Sequence, residues 1–252
     1  MMNNSLAAES GGERKGAAMN EPRILSSENP VCVYPGMILD LDGTLLDSME
    51  VWGRIDKEFL ADYGIDVPPD YMEACGAMSF RETAEYTIAR FSLPAKPEDL
   101  MNRWLDMARE EYAFHVQLLP GARELLEKLR RAGVRLAVAT ASRREHFLPC
   151  LSRHGVLEFF DAVVTTDDAG CGKSSPAIFE LAARQIGLPP QSCAVLEDTL
   201  PAARTAAQAG CVPFGVYEKH SAGARPEMEL VCRGYFETLL DACSSPLLWK
   251  EP

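Results

Sequence analysis

Met37-Ile38-Leu39-Asp40-Leu41-Asp42-Gly43-Thr44-Leu45 is the stretch on which the fold turns. A short apolar run of strand character ends abruptly in two acids spaced i, i+2, and Gly43 lets the backbone turn tightly away from the strand. Carboxylates at the carboxyl end of a buried strand stand where open α/β sheets bind their ligands.

Working outward, Asp47 and Glu50 have the three-residue spacing of a capping box, which predicts a helix with Val51, Ile55, Leu60 and Tyr63 as its apolar stripe. Gly64 and Pro68-Pro69 stop it, and two more helices are predicted near 80–91 and 98–114, with no strand between them. From Pro120-Gly121 the pattern alternates. Ala122, Leu125, Leu126 and Leu129 mark a helix, Val134–Ala139 a strand, Arg144–Arg153 a helix, and Ala162–Thr165 a strand. A helix opening at Pro176 and running to Ile186, the strand Cys193–Leu196, the helix Pro201–Ala209, the strand Cys211–Val216 and a last helix over about 234–243 complete the series. Strand–helix alternation implies a mostly parallel sheet with helices on both faces. The expected fold class is therefore α/β, a Rossmann-like three-layer core formed by residues 31–48 and 119–252, with an all-helical domain, residues 49–118, inserted between.

Four polar clusters fall at predicted strand ends. Asp40 is a candidate carboxylate nucleophile for a phosphoryl group, and Asp42 a candidate acid and base for the leaving oxygen and the incoming water. Thr140 follows the strand Val134–Ala139 and offers a hydroxyl to a phosphoryl oxygen; Ala141 and Ser142 continue that loop. Lys173, within Gly172-Lys173-Ser174-Ser175-Pro176, can neutralise phosphate oxygens. It is not a P-loop lysine, because the preceding glycine, Gly170, is too close. Glu197 and Asp198 end the strand Cys193–Leu196 and, with Asp40, could hold a hard divalent cation, for which Mg2+ is the natural choice. Singly, each cluster has an ordinary explanation: a charged loop start, a capping hydroxyl, a solvated lysine. Four of them at the ends of strands fit one phosphoryl site.

Composition narrows the partners. With 25 basic and 37 acidic residues among 252, the net charge of −12 opposes nucleic acid and anionic membrane as main partners, but not a phosphorylated metabolite met by a local cation. No apolar run is long enough to span a membrane. Residues 1–30 read as a disordered leader without a signal core, Met19 and Met37 offering other starts, so cytoplasm is the expected location and a monomer the expected state. The eight cysteines are scattered without a CxxC pair and read as buried thiols. His115 and His146 have no ligand spacing and read as surface or structural side chains.

These motifs, in this order, resemble those of the haloacid dehalogenase-like hydrolase superfamily, in its branch with a helical cap after the first motif; the resemblance covers about residues 35–218. It implies that Asp40 is the nucleophile and Asp42 the general acid/base, that Thr140 and Lys173 bind the transferring phosphoryl group, and that Mg2+ is held by Asp40, the backbone carbonyl of Asp42, and Asp198, with Glu197 assisting. The chain departs from the family at Thr199-Leu200-Pro201-Ala202, where serine, two residues and glycine often follow the acids. Dehalogenase members lack the second acid, so Asp42 argues for phosphate chemistry. By the same resemblance the cap selects the substrate, with Gly43, Trp52, Met78, Ser79 and Arg81 as candidate substrate contacts. A small-metabolite phosphatase is the leading expectation. The alternative is a beta-phosphoglucomutase-like sugar-phosphate mutase, a branch that often carries histidine at the position of Trp52; a binding protein that has lost turnover is the remaining class.

Overall fold

The computed structural model describes residues 30–250. The expected leader, apart from Pro30, lies outside the described residues. The chain begins with β1 (Val31–Cys32), β2 (Gly36–Leu39) and β3 (Leu46–Asp47), and then runs through four helices: α1 (Met49–Ala61), α2 (Tyr71–Cys75), α3 (Phe80–Phe91) and α4 (Pro97–Glu110). A wide π turn, Glu111–His115, leads into β4 (Gln117–Leu118). There follow α5 (Ala122–Arg131), β5 (Arg135–Thr140), α6 (Arg144–Arg153), β6 (Ala162–Thr165), α7 (Thr166–Ala169), α8 (Ala177–Gln185), β7 (Cys193–Glu197) and α9 (Leu200–Gln208). The chain closes with β8 (Val212–Val216), α10 (Arg225–Val231), β9 (Tyr235–Phe236), α11 (Leu239–Ser244) and β10 (Trp249–Lys250). Among the described residues no helix is long and apolar enough to cross a membrane.

Six parallel strands form the central sheet in the order β6-β5-β2-β7-β8-β9. The chain builds outward from β2 to β5 and β6, then returns to the other side of β2 with β7. The carboxyl ends of β2 and β7 therefore flank the crevice where strand order reverses, and Asp40 and Asp198 stand just beyond them.

Alternation along the strands divides the core. Met37, Leu39, Leu136, Val138 and Leu196 face one side, where the apolar stripe of α5 and Phe147 and Leu151 of α6 cover them. Ile38, Ala137, Ala139 and Val195 face the other, against Ile178, Phe179 and Ala182 of α8 and the small residues Ala202 and Ala206 of α9. Each large apolar side chain buried this way contributes about 1.5–3 kcal/mol relative to exposure, which commits the sheet to one register.

The helical insert leaves and rejoins the core through neighbouring strands, for β3 and β4 pair antiparallel with Leu46 opposite Leu118 and Asp47 opposite Gln117. Asp47 is thus a strand residue, and the capping box expected from Asp47 and Glu50 does not form. Ser48 takes the N-cap position of α1 without a side-chain cap bond; its hydroxyl donates to Asp42 instead, at 2.5 Å. Val51, Ile55 and Leu60 are buried as expected, whereas Tyr63 lies past the end of α1 and is 40% exposed. The last helix also differs from its expected span. Residues 235–236 form the edge strand β9, and α11 starts only at Leu239, where Thr238 and Asp241 form a capping box.

Candidate functional site

Asp40 follows β2, and its amide donates to the carbonyl of Leu196 at 3.1 Å, which ties the loop after β2 to β7. The carbonyl of Leu41 accepts from the amides of Thr44, Leu45 and Leu46 at 3.2, 2.8 and 2.8 Å. This tight reversal needs Gly43, whose φ is +78°. A Cβ there would lie 2.6 Å from Oδ2 of Asp198, so the same glycine leaves room for the second acid.

Lys173 reaches the crevice from the loop before α8. It is 2% exposed, and its Nζ lies 2.5 Å from Oδ1 of Asp40 and 2.6 Å from Oε1 of Glu197. Asp40, Glu197 and Asp198 offer carboxylate oxygens within 4.8 Å of one another, all buried. Burial pushes the Asp40 carboxyl up, opposed by Lys173, and pushes Glu197 up to about 8 against the same ammonium. Asp198 is raised well above the usual carboxylate range by burial and by the charges of Asp40 and Glu197. Burial lowers the Lys173 pKa, but the two carboxylates outweigh it and hold the ammonium charged. With all three carboxylates ionised against one ammonium the crevice would carry a charge of −2, so burial and mutual repulsion push these groups toward their neutral forms, and an oxygen-ligated divalent cation would offset that cost.

Asp42 stands apart from that cluster. Its Oδ1 accepts from Ser48 at 2.5 Å and from the hydroxyl of Tyr112, and its Oδ2 accepts from Ser142. Trp52 Nε1 in turn donates to the Tyr112 oxygen at 2.7 Å. Burial and the Asp42 charge raise the Tyr112 phenol well above its ordinary value, so it remains a donor. Thr140 is fully buried at the end of β5; its Oγ1 accepts from the amide of Ser142 at 3.0 Å, and the hydroxyl proton is left for a bound group.

A cleft of ≈ 150 Å³ opens over these groups. Asp40, Asp42, Trp52, Thr140, Ala141, Ser142, Lys173 and Asp198 line it, together with Met78. Glu197 sits behind Lys173 and Gly43 beneath Asp198. The helical insert forms the roof: Gly76 approaches Thr199, and Gly172 lies so close to the insert that a Cβ on it would fall 2.8 Å from the Ala77 carbonyl.

Three expected contacts, Gly43, Ser79 and Arg81, are not among the residues that line the cleft. Ser79 is the N-cap of α3, accepting from the Glu82 amide while Glu82 reaches back to its own. Arg81 is half exposed and pairs with Glu98 at 2.8 Å and Glu85 at 3.6 Å. His115 ends the π turn. His146 is a buried structural side chain packed on Trp52, Phe80 and Tyr112, and burial lowers its pKa to about 4. Sequence reading missed Tyr112, Ser48, Thr199 and the cleft-facing Asp56, Tyr71, Met72 and Trp104. Of these, only Thr199, adjacent to the acid pair, carried a positional signal.

Comparison with known proteins agrees with this geometry. A family model described as haloacid dehalogenase-like hydrolase matches residues 34–210, well over half of the chain. Protein CbbY of Cereibacter sphaeroides is 32% identical over 202 residues, covering 73% of this chain and 86% of that protein. The bifunctional riboflavin kinase/FMN phosphatase of Arabidopsis thaliana is 30% identical over 175 residues; these cover 69% of this chain, but the chain spans only 46% of that relative. Among solved structures, a variant of CbbY from Rhodobacter sphaeroides in complex with xylulose-(1,5)bisphosphate superposes with a TM-score of 0.71 at 26% identity, covering 82% of this chain and 95% of the other. With the family's four motifs gathered at one crevice and its model matching most of the chain, the protein belongs to the haloacid dehalogenase-like hydrolases.

Proposed function

We propose that this hydrolase is a Mg2+-dependent phosphatase of a small phosphorylated metabolite, working through an aspartyl-phosphate on Asp40. The observation that carries the proposal is the pairing of Lys173 with Asp40 at 2.5 Å beside Asp198, with Asp42 held separately by hydroxyl donors. Asp40 attacks phosphorus and the bond to the leaving oxygen breaks, while Asp42 supplies the proton that oxygen needs. Water then attacks the acyl phosphate, Asp42 takes its proton, and inorganic phosphate leaves with Asp40 restored. Thr140 and Lys173 hold the phosphoryl oxygens through both steps, while Ser142, whose hydroxyl and amide are engaged with Asp42 and Thr140, fixes the acid and the threonine. Asp40, Asp198, the Asp42 carbonyl and Glu197 are the groups that would hold Mg2+, which supplies charge neutralisation to the phosphoryl oxygens.

The same proposal divides the chain into a core, residues 31–48 and 119–252, and a cap, residues 49–118, that excludes water from the reaction. The close approach of Gly76 to Thr199 supports that role. Nothing in the site favours the mutase alternative, since the indole of Trp52 does not titrate near neutral pH and its N–H is engaged with Tyr112.

Turnover of 4-nitrophenyl phosphate with Mg2+ and with EDTA, by the native protein and Asp40→Asn, tests the proposal. Metal-dependent release of phosphate, reduced at least ~10³-fold in the variant, is the expected result. Full activity in Asp40→Asn rejects the mechanism.

A further inference from the structure

α1 carries two stripes. Val51, Ile55 and Phe59 pack into the core of the insert. Met49, Trp52 and Asp56, at i, i+3 and i+7, line the cleft. Asp56 therefore puts a carboxylate into a roof otherwise built of Trp52, Tyr71, Met72, Met78, Phe80 and Trp104. Burial alone raises its pKa, to about 7, with no offsetting cation or hydrogen bond.

Among the described residues no arginine lines the cleft. Those of the insert nearest to it are paired elsewhere: Arg54 with Glu111, Arg81 with Glu98, Arg90 with Asp70 and Arg103 with Asp62. Lys173 is the one cation among the lining residues, and Asp40 and Glu197 already engage it. The Arg143 guanidinium lies 6.0 Å from the Phe80 ring centroid but is not among the lining residues, so a second phosphate or a carboxylate on the leaving group would find no lining cation besides Lys173. A half-buried carboxylate among aromatic faces is the complement of an organic cation, which gains both the ion pair and the attraction of the rings.

Resting on the phosphatase proposal, we infer that the substrate is a phosphomonoester whose leaving group carries an amine or quaternary ammonium, seated between the Asp56 carboxylate and the aromatic roof of the cleft. The phosphoryl end then meets Lys173 and the metal-binding acids, and the cationic end meets Asp56, so the two ends of the cleft recognise opposite charges.

The test uses phenyl phosphates bearing CH2NH3+, CH2CH3 or CH2CO2− at the para position, compared in the native protein and Asp56→Asn. The expected kcat/KM falls in that order, with the ammonium ester favoured over the neutral one by at least ~10-fold, and the ratio collapses to about one in Asp56→Asn. A ratio of one or less in the native protein, or one unchanged by Asp56→Asn, overturns the inference. A thermal shift with benzyltrimethylammonium separates this failure from failure of the phosphatase proposal. The cation is expected to raise the native Tm and not that of Asp56→Asn. If no ester is hydrolysed but this difference persists, the phosphatase proposal fails alone; if the shift is absent at millimolar concentration, the cation site fails whatever the turnover.

Discussion

The hydroxyl of Tyr112, at the far end of the helical insert, donates to the carboxylate of Asp42 in the first loop of the core. Seventy residues of chain separate the two, and Trp52 completes the link by donating to the same phenolic oxygen. With Ser48 and Ser142 also donating, the acid is held by the insert, by the crossing strands and by the loop after β5. One of the three hydroxyls that orient Asp42 therefore comes from the insert.

Replacing Tyr112 with Phe removes that donor and the acceptor of Trp52 without changing the ring. We expect kcat to fall about 10-fold with KM changed less than about 2-fold, and stability to fall by about 1–2 kcal/mol. Steady-state kinetics and urea unfolding check both; a rise in KM at unchanged kcat would mean that Tyr112 binds substrate and does not position Asp42.

Lys173→Met leaves Asp40 and Glu197 buried without their ammonium. Breaking a buried pair at one partner costs about 3–5 kcal/mol, so the metal-free variant should unfold at distinctly lower urea and lose turnover. Excess Mg2+ should recover part of the stability, because a cation can replace the missing charge even where it cannot replace the donor. Equal unfolding midpoints for the native and variant proteins would contradict the pairing.

Gly43→Ala combines a φ of +78° with a Cβ 2.6 Å from Asp198. A loss of about 1–3 kcal/mol is expected from the backbone conformation. The stabilisation by Mg2+ in a thermal melt should shrink as well, since Asp198 must move. A variant that loses stability but keeps the full metal shift would show that Asp198 has room to spare.

Asp56 gives a pH signature with a defined sign. Its carboxyl is raised from 3.8 to about 7 by burial, so between those values the folded protein binds more protons than the unfolded chain. Stability from this group is therefore lost as pH rises through that window. Asp56→Asn should match the native protein near about pH 4 and exceed its Tm progressively up to about pH 7, with a constant difference beyond. Parallel Tm profiles across that range would place Asp56 in water.

The amino-acid pattern by itself determined the sheet and its reactive edge. The runs Met37–Leu39, Leu136–Ala139 and Ala194–Leu196 are apolar because both faces of these strands are covered, and the polar residues that follow mark where the strands leave the core. Asp40, Asp42, Thr140, Glu197 and Asp198 were legible for that local reason; Lys173, expected at a strand end, instead lies beyond α7 in the loop before α8 and was legible only from that Gly-rich loop. β9 was not, for two residues are too few to display a period of two. Asp47 was misjudged because an acid before a helix reads as a cap until β4 pairs with β3.

Only the tertiary structure decided which of the remaining side chains meet. Periodicity reports that a face is buried, not what it is buried against. Tyr112 and Asp56 belong to no motif, and only the folding of the insert over the sheet set the first against Asp42 and brought Tyr71 and Met72 to line the cleft with the second. Arg81 shows the converse: its sequence position suggested an anion grip, but Glu85 and Glu98 lie on the same outer face of the insert and engage it there.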